Sequence, residues 1–528
     1  MSSSHAAAVV IEGAAPRLYN EDLAPTAPEG RTWRWTSIAA LWVGMVVCVP
    51  TYMLAAGMIQ QGMSWKQAVF TVLAGQLIVL LPMMLVGHAG TKHGIPFPVL
   101  LRSSFGTAGA NVPAILRGLV ACGWFGIQTW VGGFALYTLL NTLAGGALEA
   151  DPLPILGINL AQLVCFLGFW AIHVWFIAKG TESIRWLETY AAPFLIAMGL
   201  ALLYWAWSQA GGFGEMLSAP STIEEGGFAG VFFPNLTAMV GFWATLALNI
   251  PDFTRYCATQ RDQALGQAIG LPPTMALFAF IGVAVTSATV VIFGEAIWDP
   301  VALLGRMGGV SVIIALFVLA VATLTTNLAA NVVAPANGFS NINPEKISFK
   351  MGGYITAAIG LLIFPWKLME STQGYIFTWL IGYSALLGPI AGILIADYFI
   401  IRRTELDVAD LFRTDGRYRF RGGWNPVALI ALVLAVLPNV PGFINAATGA
   451  NKVEGFVPSF FDELYTYAWF VGLFIAAGLY TLLSWSQRDS SAVLGGGGIE
   501  ESGVLPTGET EGAVVGEPGS ESAAELSE

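Results

Sequence analysis

Residues 37–60 read SIAALWVGMVVCVPTYMLAAGMIQ and contain no charged side chain. This stretch is longer than the roughly 20 residues that an α-helix needs to cross a bilayer. Pro50 lies near its middle, and a proline inside a helix removes one backbone hydrogen bond. Within hydrocarbon, a freed carbonyl is tolerated only where the protein or a cavity supplies a partner. The stretch therefore predicts either a binding site at a broken helix or a simple proline kink.

The composition of the whole chain is that of a polytopic membrane protein. Of its 528 residues, 55% are hydrophobic and only 11% are charged, and the mean hydropathy is +0.68. Soluble domains carry about 25% charged residues. The net charge of −11 comes largely from surface loops and an acidic tail. We therefore expect a lipid bilayer around the protein and no nucleic acid as its partner.

The cysteines and histidines follow no ligand pattern. The four cysteines stand singly within or beside apolar stretches, with no CxxC spacing. The four histidines show no metal-ligand spacing either. Neither a disulfide framework nor a zinc site is predicted.

Apolar runs predict twelve membrane spans, with both termini in the cytoplasm. We expect the protein to lie in the inner (plasma) membrane of the cell. With the N-terminus inside, 19 of the 23 Lys and Arg residues fall on the cytoplasmic side, as the positive-inside rule requires. The predicted spans are 37–60, 67–87, 118–144, 155–177, 187–208, 229–251, 271–294, 311–333, 352–368, 373–400, 425–444 and 465–485.

A second interrupted span is predicted at 229–251, where Gly241-Phe242-Trp243 falls near the centre. Two broken spans, five apart and opposite in direction, suggest an inverted repeat of five plus five helices. The predicted fold is thus an all-α integral membrane protein with a five-plus-five inverted repeat and two additional helices. Its predicted parts are a cytoplasmic segment (1–36), the helical core (37–400), a basic loop (401–424), the last two helices (425–485) and a disordered acidic tail (486–528).

Uncharged polar and aromatic residues near the span centres predict a substrate site. Trp124 and Gln128 stand four apart in GWFGIQTW, as do Asn327 and Asn331 in the eighth span. Residues with this spacing share a helical face. Together with Trp243, they suit a small, flat, neutral heterocycle rich in N–H and C=O groups. The alternative is that the tryptophans are interfacial anchors and the asparagines only bridge helices.

The eighth span also contains hydroxyl groups that suit a coupling cation. Thr325 and Thr326 would stand beside freed carbonyls of a broken helix, and oxygen ligands of this kind suit Na⁺. Alternatively, a helical threonine simply bonds a carbonyl of its own helix. The span centres contain no Asp, Glu, Lys or Arg, and a proton relay usually needs a titratable group. The pattern favours Na⁺ and leaves H⁺ open.

Several motifs resemble the nucleobase:cation symporter-1 family, which takes in transporters of cytosine, uracil, allantoin and hydantoins. The resemblance runs from about Asn20 to Arg421 and is closest in look to bacterial allantoin and hydantoin permeases. It implies a LeuT-type fold, alternating access and symport with Na⁺ or H⁺. The matching motifs are NEDLAP, WVGMVVCVPTY, HAGTKHGIPFPVLLRSSFG, WFGIQTW, LNIPDFTRY, TTNLAANVVAPAN, FPWKLMES and LLGPIAGILIADYFIIRR.

Carried over by position, the resemblance assigns roles to individual residues. The stacking tryptophans of the family fall on Trp124 and Trp243, and its substrate amides fall on Gln128 and Asn331. Phe242 would contribute backbone beside Trp243.

The sodium site of the hydantoin-transporting member maps to the carbonyls of Gly44, Val47 and Ala322 and to the hydroxyls of Thr325 and Thr326. One position departs from the pattern, because a first-span amide found in some relatives is Cys48 here.

The sequence thus predicts a secondary active symporter that imports a nucleobase or a related cyclic ureide, with a gate around Tyr383. An amino-acid transporter on the same fold is the first alternative, but it would need an acid to bind the amine. A channel fits poorly with bulky Trp and Phe at mid-membrane. An enzyme is not expected, because the spans contain no nucleophile–base pair. The oligomeric state stays open.

Overall fold

The computed structural model describes residues 9–179, 196–307, 310–370, 374–448, 459–485 and 504–506. The described part is almost entirely helical, with one small two-stranded sheet.

In the first half of the chain the helices are α1 (Trp35–Val46), α2 (Val49–Gln60), α3 (Trp65–His93), α4 (Phe97–Phe105), α5 (Asn111–Leu143), α6 (Leu160–Lys179), α7 (196–209), α8 (Phe213–Ser218), α9 (Phe228–Phe242), α10 (Ala244–Asn249) and α11 (Pro251–Thr254). In the second half they are α12 (Gln260–Phe293), α13 (Pro300–Met307), α14 (Val310–Asn331), α15 (Val333–Ser340), α16 (Phe349–Leu362), α17 (Pro365–Leu368), α18 (Ile381–Ile395), α19 (Pro426–Val436), α20 (Val440–Thr448), α21 (Ser459–Thr466) and α22 (Ala468–Ser484). Two π-helical segments, Gly374–Leu380 and Ala396–Ile401, flank α18.

Among the described residues, seven helices are long and apolar enough to cross a bilayer, and two bent pairs raise that number to nine. Shorter or partly described helices occupy three further predicted spans, at 196–209, 228–249 and 349–362. The predicted span 187–208 lies partly outside the described residues. The all-helical membrane architecture is therefore confirmed, and the number twelve stays a prediction.

Two long helices begin well before the apolar runs that predict them. The predicted spans start at 118 and 271, whereas α5 starts at Asn111 and α12 starts at Gln260. Hydropathy marks only the lipid-facing part of a helix. Gln263 and Gln267 are polar but buried against α3, with Gln263 Nε2 donating to the Met84 carbonyl at 3.3 Å. The first turns of α12 are thus packed against protein, which the composition cannot indicate.

The helices that carry the first break are held by α12, and glycines on α12 permit the close approach. A side chain at Gly270 would collide with Trp42 and Ala39 of α1, and one at Gly282 would collide with the backbone of Tyr52 in α2. On the other side, α5 packs along α14 and α6. The helices on both sides of the first break are therefore packed closely against α12.

The basic loop 401–424 is anchored to the helices by a buried ion pair. Arg402 Nε lies 2.9 Å from Asp397 Oδ2, and both side chains are buried. Ser103 Oγ donates to the same carboxylate at 2.8 Å, and Tyr480 Oη donates to it at 2.7 Å. A buried carboxylate with several partners in this way fixes the loop against α4 and α22.

The two ends of the chain meet in a short antiparallel sheet. Val9–Ile11 pair with Val504–Pro506, and Val9 lies opposite Pro506. Three residues of the tail that we expect to be disordered are therefore paired. The other residues of 486–528 lie outside the described part of the chain.

Substituting Gly392 on α18 tests the close packing of α18 on α22. Gly388 and Gly392 stand four apart, and a side chain at either would collide with the carbonyl of Trp469 or of Leu473. Small residues with this spacing let membrane helices approach closely. We expect Gly392→Leu to lower the stability of the purified protein by about 1–3 kcal/mol, the usual cost of overpacking. Thermal unfolding in detergent measures it.

The matched control is Gly478→Leu on α22, because a side chain there meets nothing within 4 Å. We expect this variant to unfold at nearly the temperature of the unmodified protein. Equal effects of the two substitutions would contradict the packing described here.

Candidate substrate and cation site

The first predicted break is present: the span 37–60 forms two separate helices instead of one bent helix. α1 ends at Val46, α2 begins at Val49, and the two axes differ by 60°. Cys48 between them has extended backbone angles (φ −141°, ψ 160°). Pro50 occupies the first turn of α2, where a helix does not need the missing N–H. The proline therefore starts a new helix instead of kinking a continuous one.

The break changes which groups the backbone of α1 bonds. In a continuous helix the Cys48 N–H would donate to the Gly44 carbonyl, but here it donates to the Val46 carbonyl at 2.8 Å. The Gly44 carbonyl is thereby released from its usual partner. This carbonyl and that of Val47 are two of the three backbone oxygens that the resemblance assigns to a cation.

The second break falls at Trp243. α9 ends at Phe242, α10 begins at Ala244, and the Trp243 N–H turns back to the Val240 carbonyl at 3.3 Å. Trp243 has near-bridge backbone angles (φ −102°, ψ 5°). The interruption predicted at residues 241–243 is thus confirmed, and it places the Trp243 side chain at the ends of two short helices.

Aromatic side chains from both breaks and from α5 form one buried cluster. The Phe242 ring contacts Trp124 and Trp243 edge to face, with centroids 5.1 Å and 4.9 Å apart. Trp42 of α1 contacts Trp243 at 5.1 Å. Trp379 contacts Trp124 at 6.0 Å. The two predicted tryptophans therefore belong to one site, joined by a phenylalanine that contributes its ring as well as its backbone.

Four polar atoms in this cluster are buried and make no hydrogen bond to any residue that the structure describes. They are Gln128 Oε1 and the Nε1 atoms of Trp42, Trp243 and Trp379. Gln128 is 4% exposed and Trp243 is 3% exposed. Gln128 Oε1 accepts and the indole N–H groups donate, and a buried polar atom without a partner costs about 1–3 kcal/mol. The cluster therefore has the chemistry of a site for a ligand that carries both N–H and C=O groups.

The two predicted asparagines lie together but face different ways. Asn331 Nδ2 donates to Asn327 Oδ1 at 2.9 Å. The amide nitrogen of Asn327 lies 3.1 Å from the Phe125 carbonyl and 3.0 Å from His173 Nε2. Both ends of the Asn327 amide thus have protein partners. Substrate contact for Asn327 and Asn331 stays a prediction.

The predicted cation ligands lie on α1, at its break and on α14, and α1 and α14 contact each other. Ala322, Thr325 and Thr326 are all buried. The Thr325 hydroxyl donates to the Ala322 carbonyl at 2.7 Å, which is the within-helix bond named above as the alternative. That bond still leaves the hydroxyl oxygen free to act as a ligand, and carbonyl and hydroxyl oxygens suit a hard cation. The residues therefore fit a sodium ion chemically.

Cys48 is buried in the first break, where some relatives carry an amide. Its sulfur lies 3.2 Å from the Thr51 hydroxyl oxygen of α2. A thiol is only a weak hydrogen-bond donor. At this edge the cluster therefore offers a ligand little polar contact.

A buried arginine in the first half of α5 ties several segments together. Arg117 lies two turns before Trp124 on α5, and its Nε and Nη2 atoms donate to Asn249 Oδ1 at 3.1 Å and 2.6 Å. Asp252 Oδ1 accepts from the Phe97 N–H at 2.9 Å. These contacts tie α5 and α4 to the segment that follows the second break.

Sequence reasoning missed Trp42, Trp379, His173 and Arg117 as neighbours of the site. A signal existed for two of them, since an ionisable residue within an apolar span is by default a candidate for function. His173 stands alone in the fourth span and Arg117 stands at the edge of the third. For Trp42 and Trp379 no local pattern separates a site residue from a core residue.

A bundle of apolar helices, two of them broken beside buried aromatic and amide groups, is the architecture of a membrane transporter. The chain belongs to the family of permeases for cytosine/purines, uracil, thiamine and allantoin, whose model matches residues 25–472. It is therefore a permease and not an enzyme.

The similar proteins transport related compounds according to their names. The chain is 46% identical to the purine-uracil permease NCS1 of Arabidopsis thaliana over 89% of this chain and 78% of that protein. It is 43% identical to the allantoin permease of Bacillus subtilis over 88% and 93%. Among solved structures, Mhp1, a nucleobase-cation-symport-1 transporter in a closed conformation with bromovinylhydantoin bound, matches with a TM-score of 0.70 and 28% identity, covering 89% of this chain and 96% of that one. These matches confirm the LeuT-type helical fold.

Removing the buried arginine tests how much its hydrogen bonds to Asn249 contribute to stability. Arg117→Met leaves Asn249 Oδ1 without its two N–H donors in a buried position. Leaving a buried polar group without its partner costs about 1–3 kcal/mol, so we expect a drop of about 2 kcal/mol in the free energy of unfolding. Chemical or thermal unfolding in detergent measures it.

The control is Arg34→Met, because the Arg34 side chain is 67% exposed and lies 3.6 Å from Asp262. We expect a change below about 1 kcal/mol, as for other surface ion pairs. If Arg117→Met lowers the free energy of unfolding no more than Arg34→Met does, the hydrogen bonds between Arg117 and Asn249 contribute little to stability.

Proposed function

We propose that the protein is a secondary active symporter that imports a nucleobase or a related cyclic ureide, of the allantoin, hydantoin, uracil or cytosine type. Transport is driven by a Na⁺ or H⁺ gradient through alternating access. The names of the similar permeases support the substrate class, and the likeness to Mhp1 supports cation coupling.

The observation that carries this proposal is the set of unsatisfied polar atoms inside an aromatic cluster. A cyclic ureide is flat and uncharged, and it presents ring N–H and C=O groups along its edges. Its N–H can donate to Gln128 Oε1 and its C=O can accept from Trp243 Nε1, two of the buried atoms described above. Burial of the ring against aromatic faces adds the apolar contact.

In this proposal the residues of the site have different roles in substrate binding. Trp124 and Trp243 hold the ring, while Gln128 and Asn331 bind its polar edge. Phe242 packs against both tryptophans. Cys48 borders the site at the first break and sets which substituents fit there.

Tyr383 has the contacts expected of a gate. Its hydroxyl donates to the Gly241 carbonyl at 2.8 Å, next to the second break, and its ring contacts Trp124 at 6.4 Å. Movement of the π-helical segment and α18 would carry this side chain with it. The site would then open when Tyr383 leaves Gly241.

The coupling cation would be held by the carbonyls of Gly44, Val47 and Ala322 and by the hydroxyls of Thr325 and Thr326. Because these oxygens belong to α1 and to α14, a bound cation favours the arrangement in which the two helices are together. Substrate binding at the neighbouring break then depends on the same arrangement of α1 and α14. Transport of the substrate is thereby coupled to the cation gradient.

The organisation of the chain belongs to the same proposal. We propose twelve spans, of which the first ten form an inverted repeat of five plus five helices, with both termini cytoplasmic and the protein in the plasma membrane. The segments 1–36, 401–424 and 486–528 would lie in the cytoplasm.

Uptake by the purified protein in proteoliposomes tests the proposed function and the role of Trp124. The assay compares allantoin, hydantoin, uracil and cytosine, with and without an inward Na⁺ or H⁺ gradient. We expect one compound to accumulate only when a gradient is imposed. Trp124→Ala should weaken the apparent affinity about 10- to 100-fold, because a stacked base contributes about 1–3 kcal/mol.

Trp175→Ala is the matched control, since Trp175 on α6 is 55% exposed. We expect it to transport like the unmodified protein. Equal uptake by the Trp124 and Trp175 variants would remove the stacking role, and uptake without any gradient would remove the symport mechanism.

The hydroxyls of α14 provide the test for the cation. We expect Thr325→Ala combined with Thr326→Ala to raise the Na⁺ concentration for half-maximal substrate binding at least about tenfold. Even substitutions of residues that only support the ligands weaken metal affinity about 10- to 100-fold. Substrate affinity measured across a Na⁺ titration reports it.

Thr142→Ala is the control, because Thr142 is exposed near the end of α5 and donates to the Thr138 carbonyl. It should leave the titration unchanged. An unchanged Na⁺ requirement in the double variant would place the cation elsewhere, and no Na⁺ requirement in the unmodified protein would favour H⁺.

A further inference from the structure

The substrate-facing amide of Asn331 is the end of a chain of hydrogen bonds that starts on α6. Asn331 Nδ2 donates to Asn327 Oδ1 at 2.9 Å, Asn327 Nδ2 lies 3.0 Å from His173 Nε2, and His173 Nδ1 lies 2.9 Å from the Phe169 carbonyl. His173 and Asn327 are fully buried, and Asn331 is 6% exposed. Three helices, α6 and α14 with the support of α5, thus share one network.

The direction of every bond in this chain follows from its far end. A backbone carbonyl only accepts, so the Phe169 carbonyl requires a hydrogen on His173 Nδ1. A neutral imidazole with that hydrogen accepts at Nε2. Asn327 must therefore turn its NH₂ group toward His173 and its oxygen toward Asn331.

The same logic fixes Asn331. An asparagine amide can be turned either way about its last torsion, and shape alone distinguishes the two orientations poorly. Here the Asn327 oxygen can only accept a hydrogen bond, so the NH₂ group of Asn331 must face it. The Asn331 oxygen is then the atom left for the site, and an acceptor there selects a ligand with an N–H donor.

The surroundings of His173 are apolar. Its ring contacts those of Phe125 at 5.1 Å and Phe169 at 4.9 Å, both edge to face. The bond to Asn327 is the contact that links the imidazole to the site. Packing alone would be served as well by a phenylalanine, whereas the network needs the acceptor nitrogen.

We propose that His173 is a positioning residue for substrate selection: together with the Phe125 carbonyl, which also accepts from the Asn327 NH₂ group, it sets the orientation of the Asn327 and Asn331 amides, so that Asn331 presents an acceptor to a ring N–H of the substrate. This inference rests on the proposed function, in which Asn331 binds the polar edge of a transported ring. It adds a residue on α6 that lies outside the site yet determines which edge of a heterocycle is accepted.

The test measures binding of a heterocycle and of its N-methyl derivatives to the purified full-length protein. The probe is whichever of hydantoin, uracil or allantoin the unmodified protein binds most tightly, compared with derivatives methylated at each ring nitrogen, since each methyl group removes one N–H donor. The variants are His173→Phe, which keeps a ring without the acceptor, and His173→Gln, whose amide oxygen can accept from Asn327. Isothermal calorimetry or a radioligand assay gives the affinities, and size-exclusion chromatography checks that each variant is folded.

We expect His173→Phe to bind the parent compound about tenfold or more weakly, the effect of losing the partner of a buried polar group. One N-methyl derivative should be strongly disfavoured by the unmodified protein, and this discrimination should shrink about tenfold in His173→Phe. His173→Gln should restore most of both the affinity and the discrimination.

Each contrary result points to a different failure. If His173→Phe weakens the parent and all derivatives by the same factor, or if His173→Gln restores nothing, the residue is only structural and the inference is wrong. If Trp124→Ala abolishes binding while His173→Phe changes neither affinity nor discrimination, the proposed function stands without this inference. If the unmodified protein binds none of the three compounds and no cytosine either, both fail.

Discussion

Unpaired backbone groups are costly in hydrocarbon, so a membrane helix breaks only where something replaces the lost hydrogen bonds. The chain breaks helices in this way at Val47-Cys48 and at Trp243. Glycines on α12 bring α1 and α2 close, and α5 and α14 cover the other side. The backbone groups released at the breaks are thereby kept from lipid and become available to a ligand or a cation. The rest of the structure supports these two positions.

The side chains around the breaks divide into groups that are satisfied and groups that are not. Asn327, His173 and Arg117 find their partners in the protein and fix the positions of α5, α6, α10 and α14. Gln128 Oε1 and Trp243 Nε1 are buried without a partner among the described residues. Such a division suits a transporter. The satisfied groups keep the surrounding helices rigid, and the few unsatisfied groups gain hydrogen bonds only when the substrate binds. Binding energy is then released where the helices must rearrange.

Much of this arrangement could be predicted from the sequence. Pro50 and the Gly241-Phe242-Trp243 run indicated both breaks, and the four-residue spacings placed Trp124 with Gln128 and Asn327 with Asn331. Orientation could not be predicted in this way: spacing cannot tell that the Asn327 amide nitrogen turns toward His173 of α6 while its oxygen accepts from Asn331. The first turns of α12 were missed because hydropathy does not detect polar residues buried against protein. His173 was missed because its partner lies 154 residues away in the chain.

A structure of the protein with a bound heterocycle tests the central claim most directly. The ligand would be the compound that accumulates in the uptake assay, and the structure would be solved in the presence of the coupling cation. The account predicts a ring within about 4 Å of the Trp124 indole, with polar edges at Gln128 and Asn331, between the breaks at Val47-Cys48 and Trp243. A ring bound elsewhere, or helices that run unbroken past Cys48 and Trp243 in the complex, would contradict it.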